Sequence, residues 1–313
     1  MNATSTLPAA ASPSDTPPPR SSILHMWWLA ARPKTLPAAI APVLAGTAVA
    51  IHERGFHWLS ALLALITALL LQIAANFAND ALDFKRGADT NERTGPTRIT
   101  ASGMVTAEAV LRATAVTLGL AVVSGLYLVC RGGWPFLILG IAAIICAVAY
   151  TGGPFPLGYL GLGEVFVFIF FGPVAVAGTA YVQTRDLTAL ALATSVPIGA
   201  MAIGILIVNN LRDLPTDVKA GKHTIAVRIG VRNTQIEYSA MLIITAIMPI
   251  IFWTIGWLNL WWILTVLSWP ALFMLWKQIR TRTGQALNPT LGNTGKALLL
   301  FSVLFSIALI LSR

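Results

Sequence analysis

The chain has very little of what keeps a protein in water. Only 11% of its 313 residues are charged, and aspartate occurs seven times. Long stretches offer no polar face, which excludes a water-soluble globule. Cysteine is equally scarce. Cys130 and Cys146 are the only two, both in apolar stretches, and they supply neither a disulfide framework nor a thiolate metal centre. The four histidines, His25, His52, His57 and His223, lack ligand spacing and argue against zinc or haem. What the chain does have is apolar surface: 56% of residues are hydrophobic and the mean hydropathy is +0.75.

Such a composition calls for an all-α membrane protein, because backbone amides in lipid must be satisfied within each segment and the runs are too long and continuous for barrel strands. Nine apolar runs read as transmembrane helices, roughly at 36–53, 58–78, 107–129, 134–150, 164–183, 188–209, 237–257, 260–276 and 295–312. Residues 1–22, rich in Pro, Ser, Thr and Ala, read as a disordered tail, and 23–313 as a single transmembrane domain. The ten tryptophans fall mostly near the ends of the runs, as an interfacial belt would place them.

The net charge of +9 follows membrane topology, and no nucleic-acid partner is expected. With a cytoplasmic N-terminus, sixteen of the 21 basic residues lie inside, four lie on the opposite side (Arg54, Arg131, Arg185 and Arg313), and Arg112 sits within a run. The excess of cytoplasmic Lys and Arg orients the bundle N-terminus in.

Five of the seven aspartates cluster in two segments on that cytoplasmic side: NFANDALDFKRGAD from Asn76 and NNLRDLPTDVKAGKHTIAVRIG from Asn209. On a helix, Asn76, Asp80 and Asp83 share one face at spacings of four and three, and Asn209, Asp213 and Asp217 share one at four and four. Carboxylates gathered at a membrane surface repel one another unless a cation neutralises them. Mg²⁺, which takes hard oxygen ligands and substrate phosphates, suits Asp80, Asp83, Asp89, Asp213 and Asp217. Lys222 and Arg228 are candidate cations for a diphosphate. The plainer alternative is ion pairing at helix ends, of Asp80 or Asp83 with Lys85 or Arg86, and of Asp213 or Asp217 with Arg212 or Lys219.

Four stretches carry a family resemblance: RPKTLPAAIAPVLAGTA from Arg32, the two acidic segments, and YTGGPFPLGYLGLGE from Tyr150. They resemble the UbiA-type superfamily of intramembrane aromatic prenyltransferases, and within it the branch that prenylates 1,4-dihydroxy-2-naphthoate. The spacing from Asp83 to Asp89, with Gly87 between, is similar to that branch. The resemblance implies a Mg²⁺-dependent transfer from a polyprenyl diphosphate to dihydroxynaphthoate, giving demethylmenaquinone, CO₂ and diphosphate. It implies metal binding by the aspartates, ligand orientation by Asn76, Asn79 and Asn209, and a phosphate contact from Lys222. It also implies a Tyr150 ring facing the allylic cation and Arg32 or Lys34 meeting the acceptor's carboxylate. Each of the last three is equally explained as an interfacial anchor or a topology marker. The natural setting is a bacterial cytoplasmic membrane with the site on its cytoplasmic side. Prenyl transfer to 4-hydroxybenzoate or homogentisate stays open, as does a cation-coupled transporter.

Overall fold

The computed structural model describes residues 23–87, 95 and 98–313, so the expected tail at 1–22 and Asp89 lie outside the described residues. Among the described residues every regular element is helical. In chain order these are α1 (Ile23–Ala31), α2 (Pro37–His52), α3 (Trp58–Lys85), α4 (Ala107–Gly132), α5 (Trp134–Ala149), α6 (Gly163–Thr184), α7 (Ala189–Lys219), α8 (Ile225–Thr254), α9 (Leu260–Thr281) and α10 (Asn288–Leu311). Threonine side chains accept from the first free amides of three of them: Thr106 from Ala109, Thr188 from Ala191 and Thr224 from Val227.

Among the described residues, seven helices are long and apolar enough to cross a membrane, counting α10 from its leading turn at Gly284. An eighth is present if α1 and α2, bent by 53°, form one span. The α5 helix has only 16 residues, about 24 Å at ~1.5 Å per residue, and is short for a hydrocarbon core of ~30 Å.

The centre of the bundle is α7, flanked by α2 and α10. Ala41, Ala45 and Ala48 of α2, Ile198, Met201 and Val208 of α7, and Leu298, Phe301 and Phe305 of α10 belong to one buried cluster. Apolar side chains on the outer faces stay uncovered, among them Val123 on α4 and Ile145 on α5. In a bilayer those faces meet lipid tails.

The helices outrun the hydropathy signal where the acidic segments lie. The run expected to end at 78 continues as helix to Lys85, that expected to end at 209 continues to Lys219, and that expected from 237 reaches back to Val231, where a non-helical Gly230 (φ 76°) kinks it from a short helical segment starting at Ile225. Hydropathy marks where lipid contact stops, whereas the backbone ladder continues wherever packing supports it. The extra turns carry the aspartates clear of the apolar runs. One element has no counterpart in the sequence reading: α1 forms a short helix before the first run. Within α6, Phe170–Ala177 is a π-helical stretch around Pro173, whose missing N–H cannot serve an α-helical ladder.

Candidate active site

Two compartments meet between the helices. One is a polar pocket of about 80 Å³ at the Lys85 end of α3 and the Lys219 end of α7. The other is an apolar cavity of about 480 Å³ running between α2, α3, α4, α5, α6 and α7. Arg32, Asn79, Tyr150 and Asn209 line both and form the junction.

The first acidic segment enters through the last turns of α3. Asp83 lines the polar pocket; it accepts from Arg98 Nη2 at 2.5 Å and from the Tyr159 hydroxyl at 2.8 Å. Asp80 faces elsewhere. Its two oxygens accept the backbone N–H groups of Ile99 (3.2 Å) and Thr100 (3.1 Å), and the residue is 1% exposed. The short Arg98–Thr100 segment therefore engages both carboxylates of α3. Asn79 joins this network, its amide oxygen accepting from Thr151 and its carbonyl from Arg98. Asn76 braces the α1–α2 elbow, donating to the Ala31 carbonyl (2.9 Å) and to Thr35 Oγ1 (3.0 Å). Arg32, within that elbow, has a left-handed backbone (φ 50°) that carries the chain into the next helix.

The second segment enters through α7. Arg212, almost fully buried, grips Asp213 with two nitrogens at 2.8 and 2.5 Å and also donates to Asn209 (2.8 Å) and Asn288 (3.1 Å). Asp217 pairs with Lys222 at 3.3 Å. Asp83, Asp213 and Asp217 thus line one pocket together with Arg32, Arg98 and Lys222. Ion pairing and site lining coexist here, although the partners are largely not those expected: Asp83 takes Arg98, and Lys85 reaches Glu108 instead. Among the described residues, no three His, Cys, Asp or Glu side chains stand close enough to bind a metal by themselves.

The Gly- and Pro-rich loop after α5 shapes the roof. A Cβ on Gly158 would come within 2.9 Å of the Tyr150 ring, and one on Gly163 within 2.9 Å of its hydroxyl, so these glycines leave room for Tyr150 at the junction. Tyr159 lies between two cations, with Lys222 Nζ 4.7 Å and the Arg86 guanidinium 5.3 Å from its ring centroid. Burial, then the Asp83 charge, raises its pKa, and the hydroxyl stays a proton donor to Asp83.

Three expected site residues among those described lie apart from both compartments: Asp80, held by the Ile99 and Thr100 amides, Lys34 and Arg228. The Lys34 side chain lies along α10 near Gly292. Arg228 ties loops together through the carbonyls of His223 (3.1 Å) and Leu160 (2.8 Å). Arg98, Tyr159, Thr151, Thr216 and Thr224 line the pocket without having been singled out from the sequence. In the sequence Arg98 is one of the sixteen basic residues counted on the cytoplasmic side. Tyr159 sits in the stretch quoted from Tyr150, and its signal was an aromatic residue beside the glycines.

The model of the family described as "UbiA prenyltransferase family" matches residues 39–311. A "1,4-dihydroxy-2-naphthoate octaprenyltransferase" of Mycobacterium tuberculosis is 39% identical, covering 88% of this chain and 94% of its own. One of the same description from Haemophilus influenzae is 36% identical, covering 92% and 96%. Among solved structures, a UbiA homolog from Archaeoglobus fulgidus bound to DMAPP and Mg²⁺ superposes with a TM-score of 0.63 over 91% of this chain and 99% of that one, at 14% identity. A match over nearly all of the helical bundle, together with relatives this similar along almost their whole length, makes the chain a member of the UbiA prenyltransferase family.

Proposed function

We propose that the chain transfers a polyprenyl group from a polyprenyl diphosphate to 1,4-dihydroxy-2-naphthoate. One observation carries the reading: a charged pocket opens through Arg32, Asn79, Tyr150 and Asn209 directly into a long apolar cavity. That shape fits an amphiphile with an anionic head and a hydrocarbon tail. The description shared by relatives 36–39% identical supports dihydroxynaphthoate as the acceptor.

Charge counting supports Mg²⁺. The pocket is lined by three carboxylates and three cations, which cancel. A diphosphate ester adding roughly three negative charges needs divalent cations beside it, and carboxylates plus phosphate oxygens suit Mg²⁺. Asp83, Asp213 and Asp217 would hold it, with Asp89 assigned to the same role on its motif alone; Asp80, whose oxygens are taken by the Ile99 and Thr100 amides, would instead position the Arg98–Thr100 segment beside it. Bound Mg²⁺ supplies charge neutralisation to the departing diphosphate.

The remaining work falls to side chains at the junction. Lys222 and Arg98 hold phosphate oxygens as the allylic carbon–oxygen bond breaks and its electron pair leaves with diphosphate. Tyr150 covers the allylic carbon at the cavity mouth, excludes water and offers its ring face to positive charge. Asn79 and Asn209 fix the two ligands relative to each other, and Arg32 receives the acceptor's carboxylate. A ring carbon forms the new bond, CO₂ leaves, and the product is demethylmenaquinone at its quinol level.

In the membrane, α1 with α2, then α3 to α10, form nine spans with the N-terminus cytoplasmic, and residues 23–313 make one domain. The sixteen basic residues on that side support this orientation. The α3, α5 and α7 ends meet at one pocket, so with that orientation the site would face the cytoplasm. Acceptor identity is tested by competition: equal dihydroxynaphthoate, 4-hydroxybenzoate and homogentisate are supplied to the purified protein with a polyprenyl diphosphate. Prenylated naphthoquinol is expected to dominate. Preference for either other acid would keep the chemistry and reassign the acceptor.

A further inference from the structure

The apolar cavity has a built floor. Along α5 its lining extends from Tyr150 at the junction to Phe136 at the far end, a depth of about 21 Å at ~1.5 Å per helical residue. There the Phe136 ring stacks on Tyr181 of α6, with centroids 5.8 Å apart and planes at 15°. The ring fills the place a side chain on residue 132 would need: a Cβ on Gly132 would stand 2.1 Å from it. Val43, Ala64, Leu128 and Val182 form a buried cluster against which Phe136 packs. Just beyond, Arg131 donates to the carbonyls of Val182 (3.3 Å) and Gln183 (3.5 Å), tying the α4–α5 turn to the end of α6. An apolar chain threading this cavity meets a ring anchored on both sides, followed by a polar layer.

Resting on the prenyl-transfer reading, we propose that Phe136 sets how many isoprene units of the donor are enclosed. The number is about four, since an extended unit of four carbon–carbon bonds advances roughly 5 Å. Each enclosed unit exchanges mobile lipid neighbours for a close-packed wall; five carbons gaining roughly two extra dispersion contacts each, at ~0.1–0.2 kcal/mol per contact, strengthen recognition by about tenfold. Units past the fourth leave the cavity for lipid and add nothing to discrimination, because a tail in the bilayer is already out of water.

The test is kcat/KM for donors of two to six isoprene units with the full-length protein in lipid, for wild type, Phe136→Ala, Phe136→Leu and Phe136→Tyr. Wild type is expected to gain steeply up to four units and then level off. In Phe136→Ala the break moves to five units, so the five-unit donor gains about tenfold over the four-unit donor, while the ratio between two- and three-unit donors stays that of wild type. Phe136→Tyr, which retains the ring, keeps the break at four units. If Phe136→Ala does not fold, Phe136→Leu gives the same shift in smaller measure. A break that stays at four units in the variants, an equal loss for all donors, or a wild-type profile with no break would overturn the floor. Absence of transfer from every donor by wild type would instead remove the prenyl-transfer reading on which it rests.

Discussion

Replacing Asp83 by asparagine separates a site from a mere helix-end ion pair. The wild-type carboxylate serves two donors at once, Arg98 at 2.5 Å and the Tyr159 hydroxyl at 2.8 Å, with Asp83 and Arg98 only 4% and 7% exposed. Asparagine keeps the volume but has one acceptor oxygen, so one of the two donors loses its partner. It also leaves the pocket with three cations against two carboxylates. Removing one partner of a buried ion pair costs about 3–5 kcal/mol. Because the amide oxygen still serves one donor, the lower end, about 3 kcal/mol, is expected here. Loss of a charge-stabilising group at a transfer site costs roughly 10²–10³ in turnover. The assay is product formation in proteoliposomes well below the unfolding temperature, alongside thermal unfolding of the same preparation with and without Mg²⁺. The expected result is a fall in turnover of about two orders of magnitude or more in protein that is still folded, with the Mg²⁺-induced rise in unfolding temperature reduced. Turnover within threefold of wild type would refute the role given to Asp83.

Asp80→Asn is expected to lower stability and loosen the Arg98–Thr100 segment, because an amide nitrogen would then face one of two backbone donors; hydrogen exchange at Ile99 and Thr100 would report it. Tyr159→Phe removes the hydroxyl donor to Asp83 but keeps the ring between Lys222 and Arg86, and turnover is expected to fall about tenfold, measured as kcat. Because the folded-state pKa of Tyr159 is raised above its ordinary value, wild type loses stability as pH climbs past about 10; Tyr159→Phe is expected to lose less, as thermal unfolding between pH 9 and 11 would show. Lys34→Ala is expected to leave kcat and both KM values within about twofold of wild type, since the side chain lines neither compartment.

Much of the bundle was legible because lipid imposes one rule on every span. Runs of apolar residues had to be helices, and the nine expected runs all coincide with helical segments. The three carboxylates of the pocket were legible because helical spacing keeps Asp213 and Asp217 on one face and places Asp83 at the end of its own helix. Their neighbours were not. Asp80 and Asp83 belong to the same motif, yet one is held by backbone amides and the other lines the pocket, a difference made by where the Arg98–Thr100 segment returns. Basic residues were the hardest to sort. Arg98, Arg228 and Lys34 all obey the same topology rule, and only the path of the loops decides that the first lines the pocket, the second ties loops and the third lies along α10. The α1 helix escaped notice because nine residues before a proline-rich elbow carry no periodic signal of useful length.

The most direct test of the account is conversion of dihydroxynaphthoate and a polyprenyl diphosphate by the purified protein in lipid, following CO₂, diphosphate and prenylated quinol together. The three are expected in equal amounts, dependent on Mg²⁺, abolished by EDTA and restored by added metal. Unchanged product formation with EDTA would contradict the metal-held diphosphate, and no prenylated product from any acceptor would contradict prenyl transfer itself.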